Sequence, residues 1–123
     1  MIGVVTLAYK NEPLLQECVY ATLNSVGVDR QGSTTKLDLH LVIVDNGAYL
    51  SETVKTQLRS HPNVTWLTPA ENLGFTGGAN LGAKYLLDAY NVDTLVFVNS
   101  DAVVEKTAIS ALVEKLHKNP DNG

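Results

Sequence analysis

Four short polar segments of the sequence carry the side chains and backbone groups that could bind a ligand. They are "AYKN" at 8–11, "DNG" at 45–47, "NLGFTGGANLG" at 72–82 and "NSD" at 99–101. The carboxylate of Asp45 can accept hydrogen bonds from a base or a ribose. That of Asp101 can bind Mg²⁺ or Mn²⁺ through its hard oxygens. Exposed backbone N–H groups among the glycines suit an anion.

Each segment also has an ordinary structural interpretation, and the residues alone leave both open. Asp, Asn and Gly favour turns, so 45–47 and 99–101 could simply turn or cap the chain. One carboxylate is too few to hold a divalent ion without waters and phosphates. Gly77, Gly78 and Gly82 run into a helical pattern, where each costs about 1 kcal/mol relative to Ala. Bare backbone there would let a ligand or a neighbouring strand come close.

The rest of the sequence predicts the strands and helices that must position these segments. Short β-branched apolar runs predict strands at 2–9, 37–45, 64–68 and 93–99. Stretches of helical period predict a helix capped by Asn11 with Val26 on its inner face, a short helix capped by Ser51, and helices at 77–90 and 105–118. The inner face of the last helix is predicted to carry Ile109, Leu112, Val113 and Leu116.

The pattern of these elements predicts the fold class. Three of the four predicted strands lack polar alternation, which is typical of strands covered on both faces. We therefore expect an α/β fold, a doubly wound and mainly parallel sheet with helices on both faces. Ligands bind such sheets at the carboxyl ends of the strands, and all four polar segments fall there.

Composition excludes several classes of function. The chain has 123 residues, 45% hydrophobic and 18% charged, as in an ordinary globular domain, with a formal net charge of −4. No basic stripe is present to bind nucleic acid. No apolar run is long enough to span a membrane and no signal peptide is recognisable, so we expect a cytoplasmic protein. Cys18 lies on an apolar helical face and is expected to be a buried thiol.

The order and spacing of the four segments resemble those of a known enzyme family. A first strand leading into "AYKNEPLLQECV" is followed by "VIVDNG", "ENLGFTGGANLG" and "LVFVNSDAVV". This series resembles the donor-binding half of family 2 glycosyltransferases of the GT-A fold, especially the rhamnosyltransferase-like branch. The resemblance implies a nucleotide-diphospho-sugar transferase-like fold and metal-assisted transfer of a sugar from a nucleotide-diphosphate sugar to a glycan or other hydroxyl acceptor, as in polysaccharide biosynthesis.

The resemblance also implies roles for individual residues. Tyr9 matches the aromatic residue that lines the nucleotide pocket, and Asp45 matches the acidic residue that hydrogen-bonds the nucleobase. The other nucleotide-sugar-binding residues that it implies are Asn46, Asn72, Gly74, Gly77, Gly78, Asn80 and Asn99. Asn99 and Asp101 match the ends of the D-x-D-like element, and Asp101 is the expected ligand of Mg²⁺ or Mn²⁺. Phe75 is expected to pack the loop, and Gly78→Val to weaken nucleotide binding far more than it lowers stability.

The resemblance covers one half of the family's catalytic domain. Residues 1–123 match the nucleotide-sugar-binding half, and the sequence ends about where relatives begin the half that supplies the acceptor site and the acidic base. Asp88, Glu105 and Glu114 lie in predicted helices without a motif that matches this base, so the catalytic base is unknown. The alternative is a non-catalytic GT-A-like binding or assembly module, with a second copy as a candidate partner at the apolar edge where that half would dock.

Overall fold

Helices and strands alternate along the residues that the computed structural model describes, which are 1–10 and 12–118. In chain order they are β1 (Ile2–Leu7), α1 (Glu12–Leu23), β2 (Val26–Val28), β3 (Thr34–Lys36), β4 (Leu39–Val44), α2 (Glu52–Leu58), β5 (Val64–Leu67), α3 (Gly74–Ala89), β6 (Thr94–Phe97) and α4 (Ala108–Lys118). The four strands and four helices expected from the apolar runs are all present, together with a hairpin that the sequence did not predict.

Four parallel strands form the central sheet in the order β5-β4-β1-β6. Val5 lies at its centre, opposite Val42 of β4 on one side and Phe97 of β6 on the other. The chain moves outward from β1 to β4 and β5, and then returns to the other side of β1 with β6. In open α/β sheets, ligands bind in the crevice at such a reversal. The fold therefore predicts a ligand site at the carboxyl ends of β1 and β6.

Helices cover both faces of this sheet. On one face, alternate residues of β1 and β4 pack against α1, α2 and α4; this cluster includes Val4, Leu41, Ile43, Leu15, Val54 and Ile109. On the other face, Val5, Val42 and Val44 pack against Leu86 of α3. Every residue of β4 is buried, as its unbroken apolar run predicts. The predicted doubly wound α/β fold is confirmed.

Several boundaries differ from those predicted. Val26 belongs to β2 rather than to the first helix, because it pairs with Lys36 and its N–H donates to the Lys106 carbonyl at 2.8 Å. The last helix begins at Ala108 rather than at Glu105, and Leu112 on it is exposed rather than inward. Ser51 caps α2 as predicted, accepting from the Val54 N–H at 3.3 Å.

Two further sequence predictions concern single residues and membrane segments. Asn11, the predicted cap of the first helix, lies outside the described residues. Cys18 is buried, as expected for a thiol on the inner face of α1. Within 1–10 and 12–118, none of the helices has the length and apolar character needed to cross a bilayer.

Candidate functional site

A cleft of about 580 Å³ opens at the carboxyl ends of β1, β4 and β6. Its lining comprises Val5, Leu7, Ala8, Tyr9, Leu14, Asn46, Tyr49, Asn72, Gly74, Phe75, Phe97, Val98, Asn99, Ser100 and Asp101. Residues from all four polar segments therefore meet at one edge of the sheet, on the side where the chain reverses direction. This is the place that the strand order indicates for a ligand.

The structure brings only part of the predicted set into this cleft. The predicted residues that line it are Tyr9, Asn46, Asn72, Gly74, Asn99 and Asp101. Those outside its lining are Asp45, Gly77, Gly78 and Asn80. Asn80 is exposed on α3, and the other three lie within a turn or against neighbouring side chains.

The carboxylate of Asp45 is fully buried and stabilises the turn that follows β4. Its Oδ1 accepts from the Tyr49 N–H at 2.6 Å, and its Oδ2 accepts from the Leu50 N–H at 3.1 Å. These bonds hold Ala48 at φ 54°, a left-handed conformation that costs a non-glycine residue roughly 1 to 2 kcal/mol. The geometry favours the turn interpretation of Asp45, and its contact with a nucleobase stays a prediction.

Asn46 links the end of β4 to the start of α3. Its Nδ2 donates to the Gly74 carbonyl at 2.7 Å, and its Oδ1 accepts from the Leu73 N–H at 2.9 Å. Asn72 adds a local bond, because its Oδ1 accepts from the Gly74 N–H at 2.8 Å. Gly74 itself has a φ of 72°, which glycine adopts without strain. The two asparagines thus fix the start of the segment 72–82, of which Asn72, Gly74 and Phe75 line the cleft. The helix α3 begins three residues earlier than predicted.

The glycines further along α3 lie where a side chain would come too close to its neighbours. A Cβ at Gly78 would lie 2.9 Å from both Asn46 Nδ2 and Leu7 Cδ2. A Cβ at Gly82 would lie 2.7 Å from Val5 Cγ1, and one at Gly77 would lie 2.8 Å from Leu73 Cβ. The sequence left open whether these glycines let a ligand or a neighbouring strand approach the helix. This geometry favours the approach of strands and loop residues over that of a ligand. It argues against the expectation that Gly78→Val would spare stability.

A turn after β6 presents Asp101 at the opening of the cleft. The Val98 N–H donates to the Val5 carbonyl at 2.9 Å, which anchors the end of β6 to β1. The Ala102 N–H then donates to the Asn99 carbonyl at 2.9 Å and closes a β-turn over 99–102. Asn99 and Asp101 are both exposed, so a ligand in the cleft can reach them.

Cys18 lies beneath this turn. Its Sγ donates to the Asn99 carbonyl at 3.5 Å, from a side chain that is only 1% exposed. Burial raises the pKa of the thiol, the Thr22 and Thr6 hydroxyls oppose that rise, and the charge of Asp101 adds to it. The thiol is therefore kept protonated and able to donate.

Four aromatic side chains also line the cleft, and three of them were not among the predicted site residues. Tyr9 and Tyr49 meet edge to face with ring centroids 5.8 Å apart. Gly47 permits this, since a Cβ there would lie 2.6 Å from the Tyr49 ring. Phe75 is 69% exposed rather than packed into the loop, and Phe97 is 52% exposed. Period-two alternation in β6 could have indicated Phe97, whereas Tyr49 depends on a turn that the sequence does not specify.

Asp101 is the single charged residue in the described lining, which contains no Lys, Arg or His. No group of three or more His, Cys, Asp or Glu side chains able to hold a metal is found within 1–10 and 12–118. One exposed carboxylate beside an amide suits an ion such as Mg²⁺ or Mn²⁺ only if waters and ligand phosphates complete its coordination. The lining could therefore hold such a cation only together with a phosphorylated ligand, and the binding of Mg²⁺ or Mn²⁺ by Asp101 stays a prediction.

Known proteins resemble the chain in sequence. The family model described as "Glycosyl transferase family 2" matches residues 3–123. A curated relative, the low-salt glycan biosynthesis hexosyltransferase Agl10 of Haloferax volcanii, is 25% identical over 111 residues, which are 90% of this chain and 31% of that protein.

Solved structures resemble the chain in fold. S. aureus TarS 1-349 in complex with UDP-GlcNAc matches with a TM-score of 0.67 at 17% identity, over 95% of this chain and 31% of that one. Another crystal structure of S. aureus TarS 1-349 matches with a TM-score of 0.65 at 16% identity, over 95% of this chain and 32% of that one. The chain thus spans about a third of the length of the relatives that it matches.

Proposed function

Because this chain belongs to glycosyl transferase family 2, we propose that it binds a nucleotide-diphosphate sugar and supports transfer of the sugar to a glycan or other hydroxyl acceptor. The observation that carries the proposal is the cleft at the ends of β1, β4 and β6, where Tyr9, Asn46, Asn72, Asn99 and Asp101 come together. The UDP-GlcNAc complex of a TarS structure with the same fold supports a nucleotide sugar as the ligand.

The aromatic and amide groups of the cleft suit the nucleoside part of such a donor. Tyr9 is 65% exposed beside Tyr49, so its ring offers an apolar face against which a base can stack. The amide of Asn72 lies at the exposed rim and can bond a ribose or a base edge. A base that also bonded Asp45 would have to displace part of the turn over 45–50, since that carboxylate is buried.

The diphosphate requires a positive charge that the described lining does not offer. We assign that role to Mg²⁺ or Mn²⁺, held by the Asp101 carboxylate with the Asn99 side chain beside it. When bound, the ion would offset the negative charge that develops on the departing diphosphate. The carboxylate of Asp101 would bind the ion and hold it at the edge of the cleft.

The acceptor site and the base are proposed to lie outside residues 1–123, which would then act as the donor-binding half. Asp101 is the only carboxylate in the described lining of the cleft, and metal binding would occupy it. Asp88 lies on α3, where it pairs with Lys84 at 2.7 Å, and Glu114 lies on α4 near Lys118. Neither of these two carboxylates lines the cleft. Without a positioned base, transfer by this chain alone would be very slow. A cytoplasmic location and a rhamnosyl donor stay predictions.

Calorimetric titration tests the donor-binding proposal. UDP, GDP and dTDP would each be titrated into the protein in Mn²⁺ and again in EDTA. We expect at least one nucleotide to bind, more tightly with Mn²⁺ than without it. Failure of all three to bind under both conditions would overturn the proposal.

A second function, assembly without catalysis, is favoured by a different observation. Phe97, on the edge strand β6, and Phe75, which lines the same cleft, are largely exposed, and Val103 in the segment after β6 is 60% exposed. Exposed apolar side chains on and near an edge strand are typical of a surface that another protein covers.

Sedimentation velocity over a range of protein concentrations distinguishes this alternative. Assembly predicts a concentration-dependent dimer that Phe97→Lys reduces. Leu87→Lys, at an equally exposed site on α3, serves as the control and should leave the dimer unchanged. A monomer at every concentration would exclude self-assembly as the function.

A further inference from the structure

We infer that Cys18 is a positioning residue for the turn that carries Asp101: its thiol fixes the Asn99 carbonyl from inside the fold and so sets where the metal-binding carboxylate lies. This inference rests on the proposed function, because it assigns a role within the same site. Cys18 makes no contact with the ligand or the metal in this scheme. It acts through the backbone of Asn99.

The Asn99 carbonyl is held from two directions. The Ala102 N–H donates to it at 2.9 Å and closes the turn, while the Cys18 Sγ donates to it at 3.5 Å from α1. The first bond fixes the shape of the turn, and the second fixes its position relative to the helix beneath. A carbonyl oxygen has two lone pairs, so both bonds can be present together.

The surroundings of the thiol indicate that its polar contact is more than a consequence of packing. The Thr6 and Thr22 side chains are fully buried, and their hydroxyl oxygens make no hydrogen bond of good geometry with any described residue. Both hydroxyls nevertheless lie close enough to Cys18 Sγ to influence it. A buried polar group without a good partner is costly, so this cluster of three side chains beneath the turn calls for a functional reason.

Positioning matters here because Asp101 has little other support. It is exposed, and no hydrogen bond or ion pair of its carboxylate is found among the described residues. Its place is therefore set by the backbone of the turn. On either side of the turn, the Val98 N–H donates to the Val5 carbonyl of β1 and Val104 packs against the core. Within the turn, the Asn99 carbonyl is tied to α1 by the thiol of Cys18. Loss of the thiol would remove this hydrogen bond between the turn and α1.

The test compares nucleotide affinity with and without metal in matched variants. The readout is the ratio of the Kd in EDTA to the Kd in Mn²⁺, measured by calorimetry with whichever of UDP, GDP and dTDP the wild type binds most tightly. Cys18→Ala should lower this ratio by roughly three- to tenfold, the worth of one hydrogen bond, and leave the Kd in EDTA within about twofold. Cys18→Ser, which keeps a donor, should restore most of the ratio.

Val19→Ala is the control, because Val19 is equally buried on the same helix but belongs to the apolar core. It should lower the melting temperature at least as much as Cys18→Ala and leave the ratio unchanged. An unchanged ratio in Cys18→Ala, or an equal loss in Val19→Ala, would overturn the inference. Should Cys18→Ala fail to fold, Cys18→Val fills the site without a donor and replaces it. A wild type that binds no nucleotide would instead reject the proposed function.

Discussion

At the scale of single residues, Asp101 gives the most direct test of metal binding. Asp101→Asn keeps the shape of the side chain but removes its charge, so the turn over 99–102 should form as before. We expect the affinity for nucleotide in Mn²⁺ to fall by more than the roughly tenfold that loss of an outer-shell metal partner costs, with little change in EDTA. Calorimetry under both conditions measures this, and Asp88→Asn, an exposed carboxylate on α3, controls for charge. Equal effects of the two substitutions would contradict the prediction.

Asn46 joins two of the polar segments. Its substitution should therefore lower the free energy of unfolding as well as the affinity for nucleotide. Asn46→Ala leaves the Leu73 N–H and the Gly74 carbonyl without their partners at 2.9 and 2.7 Å. We expect a loss of about 1 to 3 kcal/mol in the free energy of unfolding. Denaturation by urea measures it. Asn72→Ala, which removes one local bond at an exposed site, should cost less; a larger loss there would refute the assignment.

At the scale of elements, the contact between α3 and the sheet depends on residues without side chains. Gly82→Val would force a side chain to within 2.7 Å of Val5 and 3.1 Å of Val44. We expect a destabilisation of about 1 to 3 kcal/mol or more, with a comparable effect for Gly78→Val. Asn80→Ala on the exposed side of the same helix should be neutral or slightly stabilising. Thermal denaturation compares the three, and a Gly78→Val protein as stable as the wild type would disprove this account of the glycines.

The contact between β4, β5 and the end of α3 should make stability depend on pH. His40 Nε2 lies 2.8 Å from Thr65 Oγ1, and the ring stacks on Tyr90 with centroids 4.1 Å apart. Burial lowers the pKa of His40 from its usual 6.5, so the folded chain holds the neutral form. As pH falls below about 6.5, the unfolded chain takes up the proton first. The stability that neutral His40 contributes is therefore fully present above about pH 6.5. It is lost as the pH falls from there through the lowered pKa of His40 in the folded chain.

Melting temperatures of the wild type and His40→Gln, recorded from about pH 8 to about pH 5, measure this contribution. The difference between the two proteins should narrow as the pH falls. A gap that stayed constant for His40→Gln would show that its protonation does not affect folding.

These elements also show what could be predicted from the sequence. The unbroken apolar run of β4 and the cap at Ser51 are local signals, so the sheet and α2 could be predicted. The sequence could not show that a side chain at Gly78 would clash with its neighbours. That clash depends on how α3 packs against β1 and β4, which no local sequence pattern specifies. The inward carboxylate of Asp45 likewise follows from N–H groups four and five residues away. The β2-β3 hairpin could not be predicted because its strands have only three residues each: Val26 of β2 also fits the helical spacing of α1, and β3 is polar and exposed.

At the scale of the whole molecule, charge opposes the proposed ligand. The chain carries a formal net charge of −4, and the described lining of its cleft adds one carboxylate and no basic residue. A nucleoside diphosphate is itself a multiple anion, so the two should repel each other unless a divalent cation lies between them. Aromatic and amide contacts act over short distances and do not remove this repulsion. We therefore expect nucleotide binding to depend on a metal because of the charge of the whole molecule, and not only because of Asp101.

The dependence of binding on salt separates these contributions. In EDTA, raising NaCl from about 10 mM to about 0.3 M shortens the Debye length from about 30 Å to under 10 Å, so it should strengthen UDP binding by screening the repulsion. In Mn²⁺ the same change should weaken binding, because it screens the attraction between the ion, Asp101 and the phosphates. Uridine, which has no phosphate, should bind equally at both salt concentrations. Calorimetry at the two concentrations measures all three. Weaker UDP binding at high salt in EDTA would mean that a basic group reaches the phosphates, and the proposed role of the metal would then lose its electrostatic basis.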